Sequence, residues 1–87
     1  MNYLENLGIE NKGISESNWN AAAEVQEIMD DLLEAEFEDF LEVHSDQIET
    51  VQDQIDFNKE VLGLAEKIDN LDLYKLAETS LELLQSN

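Results

Sequence analysis

Apolar residues recur at helical spacing through residues 19–43. At about 100° per residue, Val25, Ile28, Met29, Leu32, Leu33, Phe37, Phe40 and Leu41 share one broad face. Glu24, Glu27, Asp31, Glu34, Glu38 and Glu42 take the opposite face in steps of three and four. The pattern predicts one amphipathic helix whose apolar arc is wide enough to meet two neighbours, with Asp30 and Glu36 near the boundaries of that arc. A second seam, Ile48, Val51, Ile55, Leu62 and Ala65, predicts a helix over residues 46–68. Asn58 interrupts that seam, and Gly63 sits inside it at a cost of about 1 kcal/mol relative to Ala. A third set, Leu73, Leu76, Ala77, Leu81 and Leu84, predicts a helix over 73–84, entered from the polar turn Asp69-Asn70-Leu71-Asp72.

The segments between these helices carry the stop and start signals. Residues 2–7 read as a short helical turn ended by Gly8, followed by a loop through Gly13, with Ser15, Ser17 and Asn18 as candidate N-caps. His44 suits a helix C-terminus, where the dipole is negative. Ser45 or Asp46 suits the next N-cap, Asp46 and Glu49 having capping-box spacing. One feature opposes a break here, because the acidic stripe stays in phase through Glu42, Ser45, Glu49, Asp53 and Asp56. The rival is a single helix over 19–56, about 57 Å long. The break is preferred, since a short chain gains little core from so long a rod.

Proline is absent and only three glycines occur, whereas a β fold needs turn residues every 8–12 positions or so. The expected fold is all-α: a small antiparallel three-helix bundle with a short N-terminal helical turn, in up-down-up order. Its 87 residues are expected to form a single acidic helical domain.

Charge changes the picture more than any motif. The chain has 22 Asp plus Glu against four Lys and no Arg, for a formal net charge of −18. Between Lys12 and Lys59 lie fourteen carboxylates and no basic side chain except His44. A solubility requirement alone is met by interspersed charges of both signs. Here every i,i+4 ion pair that would offset the repulsion is forgone across the middle of the chain. Such self-repulsion works against compactness, so stability should rise with salt and with mild acidification.

Candidate chemistry is sparse. His44 is the one histidine, and its neighbour Ser45 is wrongly placed for a nucleophile–base contact on a helix. No nucleotide-binding glycine pattern, calcium loop or Glu-x-x-His di-iron pair occurs, and there is no cysteine. The Leu62–Lys67 segment lacks the preceding histidine that a phosphotransfer bundle requires. The reading is therefore no enzyme, no cofactor and no metal site. The N-terminus lacks the basic and apolar regions of a secretion signal, and no apolar run approaches membrane-spanning length, so a cytoplasmic protein is expected. Trp19, Phe37 and Phe40, at helical spacing, read as core aromatics; Trp19, at a helix start, is in the alternative a half-exposed anchor, with Tyr3 and Leu4 as a second apolar contact point.

Carboxylates at i, i+3, i+4 and i+7 advance about 5 Å per charge, against 3.4 Å or so per phosphate of a DNA strand. Two adjacent helices with such stripes approach the charge density of a strand. The expected partner is a basic nucleic-acid-binding protein of the nuclease or CRISPR-effector type, with no direct contact to nucleic acid or membrane. Its phosphate-binding groove would be filled by Glu24, Glu27, Asp31, Glu34, Glu38 and Glu42, with Glu49, Asp53, Asp56 and Glu60 beside them. In small size, extreme acidity and lack of chemistry the chain resembles the DNA-mimic anti-restriction, anti-CRISPR and nuclease-immunity proteins of phages and mobile elements. That resemblance is one of class and composition. The alternative is a helical adaptor or a homodimeric subunit, joined through an apolar patch around Val61, Leu64, Ile68 and Leu73.

Overall fold

The computed structural model describes residues 1–86; Asn87, the last residue of the expected domain, lies outside them. Among the described residues five helices follow one another: α1 (Tyr3–Asn6), α2 (Glu16–Glu36), α3 (Glu38–Ser45), α4 (Val51–Lys67) and α5 (Leu71–Gln85). The fold is the expected all-α bundle, with α2, α4 and α5 as its long members.

The helix ends follow the polar residues that flank them. Asn2 caps α1 by accepting from the Glu5 N–H at 3.0 Å. Gly8, at φ 87°, closes the turn in a left-handed conformation, where a side chain would be strained. Asn11 then clamps the following loop, accepting from the Ile14 N–H and donating to the Ile14 carbonyl, both at 2.9 Å. The clamp lets Ile9 and Ile14 enter the core from an otherwise polar loop. Of the three candidate caps, Ser15 is the one used, accepting from the Asn18 N–H at 3.2 Å. Asn70 caps α5 through the Leu73 N–H at 3.1 Å, two residues earlier than the spacing of leucines indicated.

Two apolar clusters order the helices. One joins the starts of α2 (Trp19, Ala22, Ala23) and α4 (Val51, Ile55) to the end of α5 (Leu81, Leu84), with Leu4 of α1 beneath them. The other joins the ends of α2 (Met29, Leu33) and α4 (Phe57, Val61, Ala65) to the start of α5 (Leu73, Ala77). So α5 runs antiparallel to both α2 and α4, which themselves point the same way. The long helices thus run up-up-down and not in the up-down-up order expected from short connections, because the chain returns along the bundle between α2 and α4 through α3 and residues 46–50.

The return explains why residues 19–43 are not one helix. The chain bends at Phe37 (φ −139°, ψ 49°), with no Gly, Pro or side-chain cap to mark it. An unbroken helix from Glu16 to Ser45 would measure about 45 Å, whereas the longest extent of the molecule is 33 Å. Bending instead sets the Phe40 ring 5.9 Å from that of Phe57 on α4. The same geometry excludes a rod over 19–56.

The break after His44 is present, but α4 starts later than expected. The capping box is Thr50 with Asp53, not Asp46 with Glu49. Thr50 Oγ1 accepts from the Asp53 N–H at 3.1 Å, while Asp53 Oδ2 accepts from the N–H groups of Thr50 at 3.1 Å and Glu49 at 3.0 Å. Starting at Val51 buries that residue, and Ile48 reaches both clusters from the loop.

A polar link crosses the middle of the bundle. Gln26 Nε2 donates to Asn58 Oδ1 at 2.8 Å and to Ser80 Oγ, and Asn58 Nδ2 donates to Ser80 Oγ at 2.9 Å. All three residues are buried. The interruption seen at Asn58 in the sequence is thus the point where α2, α4 and α5 are tied together, and burial without these bonds would be costly.

Candidate protein-binding surface

The carboxylates of the expected ridge lie at the surface, but the bend at Phe37 folds the ridge. Glu24, Glu27, Asp31 and Glu34 are exposed along α2. Their first and last members are about 15 Å apart along the helix axis. Glu38 and Glu42, also exposed, lie beyond the bend on α3. They do not prolong the α2 stripe. They stand with Asp31 and Glu34 around one cleft of 340 Å³ between α1, α2, α3 and α4.

The remaining predicted residues divide differently. Glu24 and Glu27 border a neighbouring depression against Asn2, Tyr3 and Asn6. Asp53, Asp56 and Glu60 line a third, beside His44, Ile48 and Phe57. Tyr3 is common to the first two depressions, and Ile48 and Phe57 to the cleft and the third, so the three adjoin. Asp53 spends its carboxylate on the capping box, and those backbone donors hold it below the usual carboxylate range. Asp56 accepts from Gln52 Nε2 at 3.1 Å. Glu60 faces His44 Nε2 at 3.0 Å, a contact that becomes an ion pair when the imidazole is protonated. Glu49 is exposed at the mouth of the α3–α4 loop.

Cations do little to offset this surface. Among the described residues the only other ion pair joins Lys12 to Glu10 at 3.8 Å, both largely exposed, and such a pair contributes little. No group of three or more acidic or histidine side chains among the described residues is disposed to hold a metal ion. Among the same residues, no helix is long and apolar enough to cross a membrane.

The floor of the cleft differs from its rim. Leu41, Ile48 and Phe57 supply apolar wall, and Asp30 and Gln54 supply polar groups. Tyr3 donates its hydroxyl to Asp30 Oδ2 at 2.5 Å. Asp30 Oδ1 is buried with no hydrogen-bond partner. Burial pushes the Asp30 carboxyl up to about 6; the Tyr3 hydrogen bond opposes that, and the charges of Asp31 and Glu34 add to it. The Tyr3 hydroxyl is raised above its ordinary value, first by burial and then by Asp30. Gln54 is 2% exposed, and its Oε1 likewise has no partner.

Sequence reasoning did not single out Tyr3, Asp30 or Gln54 as a unit. The available signals were the place of Asp30 at the edge of the apolar arc and of Gln54 one turn before Asn58. Trp19 is 2% exposed, with its indole N–H on Glu5 Oε1 at 3.1 Å, so it takes the core place its spacing predicts and not the exposed-anchor alternative. Two other apolar expectations are corrected. Leu4 is fully buried and Tyr3 half-buried, so they form no apolar contact point. Val61 and Leu73 are also fully buried and Leu64 half-buried, which leaves Ile68, 40% exposed, as the only open member of the proposed apolar patch.

No protein-family model, curated protein or solved structure matches the chain.

Proposed function

We propose that the protein is a non-enzymatic inhibitor that occupies the phosphate-binding groove of a basic nucleic-acid-binding protein, a nuclease or CRISPR effector being the kind of target meant. The observation that carries the reading is the ring of Asp31, Glu34, Glu38 and Glu42 about one cleft, supplied by two helices and with no lysine among its lining residues. Such a concentration of one sign destabilises the free protein and gives a return only when a positive surface covers it. The adjoining carboxylates of Glu24, Glu27, Asp56 and Glu60 extend the negative surface beyond the cleft. Loss of the continuous apolar patch takes the main support from the adaptor reading.

The test is capture of the target from host lysate at low salt, followed by measured affinity. Affinity should fall steeply between about 50 and 200 mM salt, and duplex DNA should displace the protein. Replacing Asp31, Glu34, Glu38 and Glu42 together by their amides should abolish binding and raise the melting temperature. A target whose affinity is indifferent to salt and to DNA, or survives the fourfold replacement, would overturn the proposal.

A further inference from the structure

The geometry points to the cleft between α2, α3 and α4 as the anchor pocket for one arginine side chain of the partner, its aliphatic stem lying on Leu41, Ile48 and Phe57 and its guanidinium donating to Asp30 Oδ1 and Gln54 Oε1, which are closed to solvent in the free protein and are uncovered when the α3 wall yields. This inference rests on the proposed function and gives that surface its point of specificity.

Three observations carry it. The first is the pair of buried acceptors. A buried carboxylate oxygen and a buried amide oxygen without partners are costly, and native proteins keep few of them. Both residues line the same cleft. What they lack is a donor, and a guanidinium brings five N–H groups in a rigid plane, enough to serve two acceptors at once. An ammonium is a compact, strongly hydrated point charge, less suited to a half-apolar site.

The second is the composition of the walls. A bare divalent ion seeks several oxygen ligands and has no use for Leu41, Ile48 and Phe57, whereas an arginine stem is three methylenes long and covers apolar surface well. The third is size and charge. At 340 Å³ the cleft lies at the small end of ligand pockets, suited to one side chain. Asp31, Glu34, Glu38 and Glu42 at the rim then draw a cation inward and exclude anions.

The experiment titrates the isotopically labelled protein with acetyl-arginine-N-methylamide, the corresponding blocked lysine, and magnesium chloride, each at about 150 mM ionic strength, with NMR as the readout. The blocked arginine should shift the Gln54 side-chain amide and the backbone of Asp30, Leu41 and Ile48, saturably and more than the other two additives. Gln54→Leu keeps the net charge and removes one acceptor, so it should weaken arginine binding about tenfold. Asp30→Asn, checked for folding by its melting curve, should weaken it further. Shifts spread evenly over every acidic surface, equal binding of magnesium, or no effect of Gln54→Leu would overturn the pocket. Gln54→Leu also separates the two proposals in the complex. Salt-sensitive, DNA-competed binding that ignores it keeps the inhibitor and discards the arginine. Saturable arginine binding with no salt-dependent target does the reverse.

Discussion

α3 and α4 face each other across Phe40, His44 and Phe57, yet they are held by different means. α4 begins with a reciprocal capping box and buries Val51, Gln54, Ile55, Phe57, Asn58, Val61 and Ala65. α3 has no side-chain cap and no fully buried residue. It is kept in place by rings, with Phe40 5.9 Å and His44 6.0 Å from Phe57, and by the His44–Glu60 contact. Acidity is common to both helices and so does not explain the contrast. α4 belongs to the core, whereas α3 is a return segment laid over it. The cleft lies where the two meet, with a firm floor from α4 and a lightly fastened wall from α3. Segments with few buried contacts open at lower free energy than the global unfolding transition, so the wall can adjust to a partner while the floor does not.

The strongest way to break the comparison is on the α4 side. Asn58→Ala removes the residue that bonds both Gln26 and Ser80, leaves their polar atoms buried without it, and opens space. The expected loss is about 3 kcal/mol, shared by all three long helices because the link joins them. Denaturant unfolding should show one cooperative transition at a lower midpoint. If α4 alone loses hydrogen-exchange protection while α2 and α5 keep theirs, the link does not hold the bundle together.

The same contrast governs what could be read from the chain. The three long helices were legible because their apolar positions repeat over many turns and two of their caps, Ser15 and Asn70, lie in the polar segments that precede them. Thr50 was passed over for Asp46 because both stand three residues before a carboxylate, and only the burial of Val51 decides between them. The bend at Phe37 had no local signal, since it arises from Phe40 seeking Phe57 and from the need to turn back along the bundle. Exposure of the carboxylates was legible from the helical period, but their gathering into a cleft was not, because the bend produces it. Asn58 showed only as a gap in a seam, its partners lying 32 and 22 residues away.

Asp30 sharpens the comparison at the floor of the cleft. Its carboxyl is pushed up to about 6 from an ordinary value of 3.8, so between these values the native state holds a proton that the unfolded chain has released. Above about pH 6 the native state bears an ionised, poorly solvated carboxylate, and near pH 3.8 the penalty is gone. This group therefore lowers stability as pH rises through that window. Asp53 acts in the opposite sense: its pKa is held down, so its contribution is present at neutral pH and fades as the solution is acidified below the usual carboxylate range. Asp30→Asn keeps an acceptor for Tyr3 and removes the charge. It should stabilise by about 2 kcal/mol at pH 7, by progressively less toward pH 4, and not at all below that. Melting temperatures of both proteins across this range supply the check. A constant difference would mean that shape, not ionisation, separates the variants.

The smallest global effect is expected on the α3 side. Phe40→Ala removes the ring that rests on Phe57, but Phe40 is only half-buried, and the helix it fastens contributes no fully buried residue. The loss of global stability should be about 1 kcal/mol, well short of the 3–5 kcal/mol or so typical of a phenylalanine removed from a core. The local consequence should be larger. Backbone amides from Leu41 to Ser45 should exchange much faster, while those of α4 and α5 keep nearly all their protection. Target affinity should fall as well, because Glu38, Leu41 and Glu42 leave the cleft together when α3 lifts. A Phe40→Ala protein that unfolds as completely as Asn58→Ala would show that α3 is part of the core, and the distinction between a firm floor and a yielding wall would not survive.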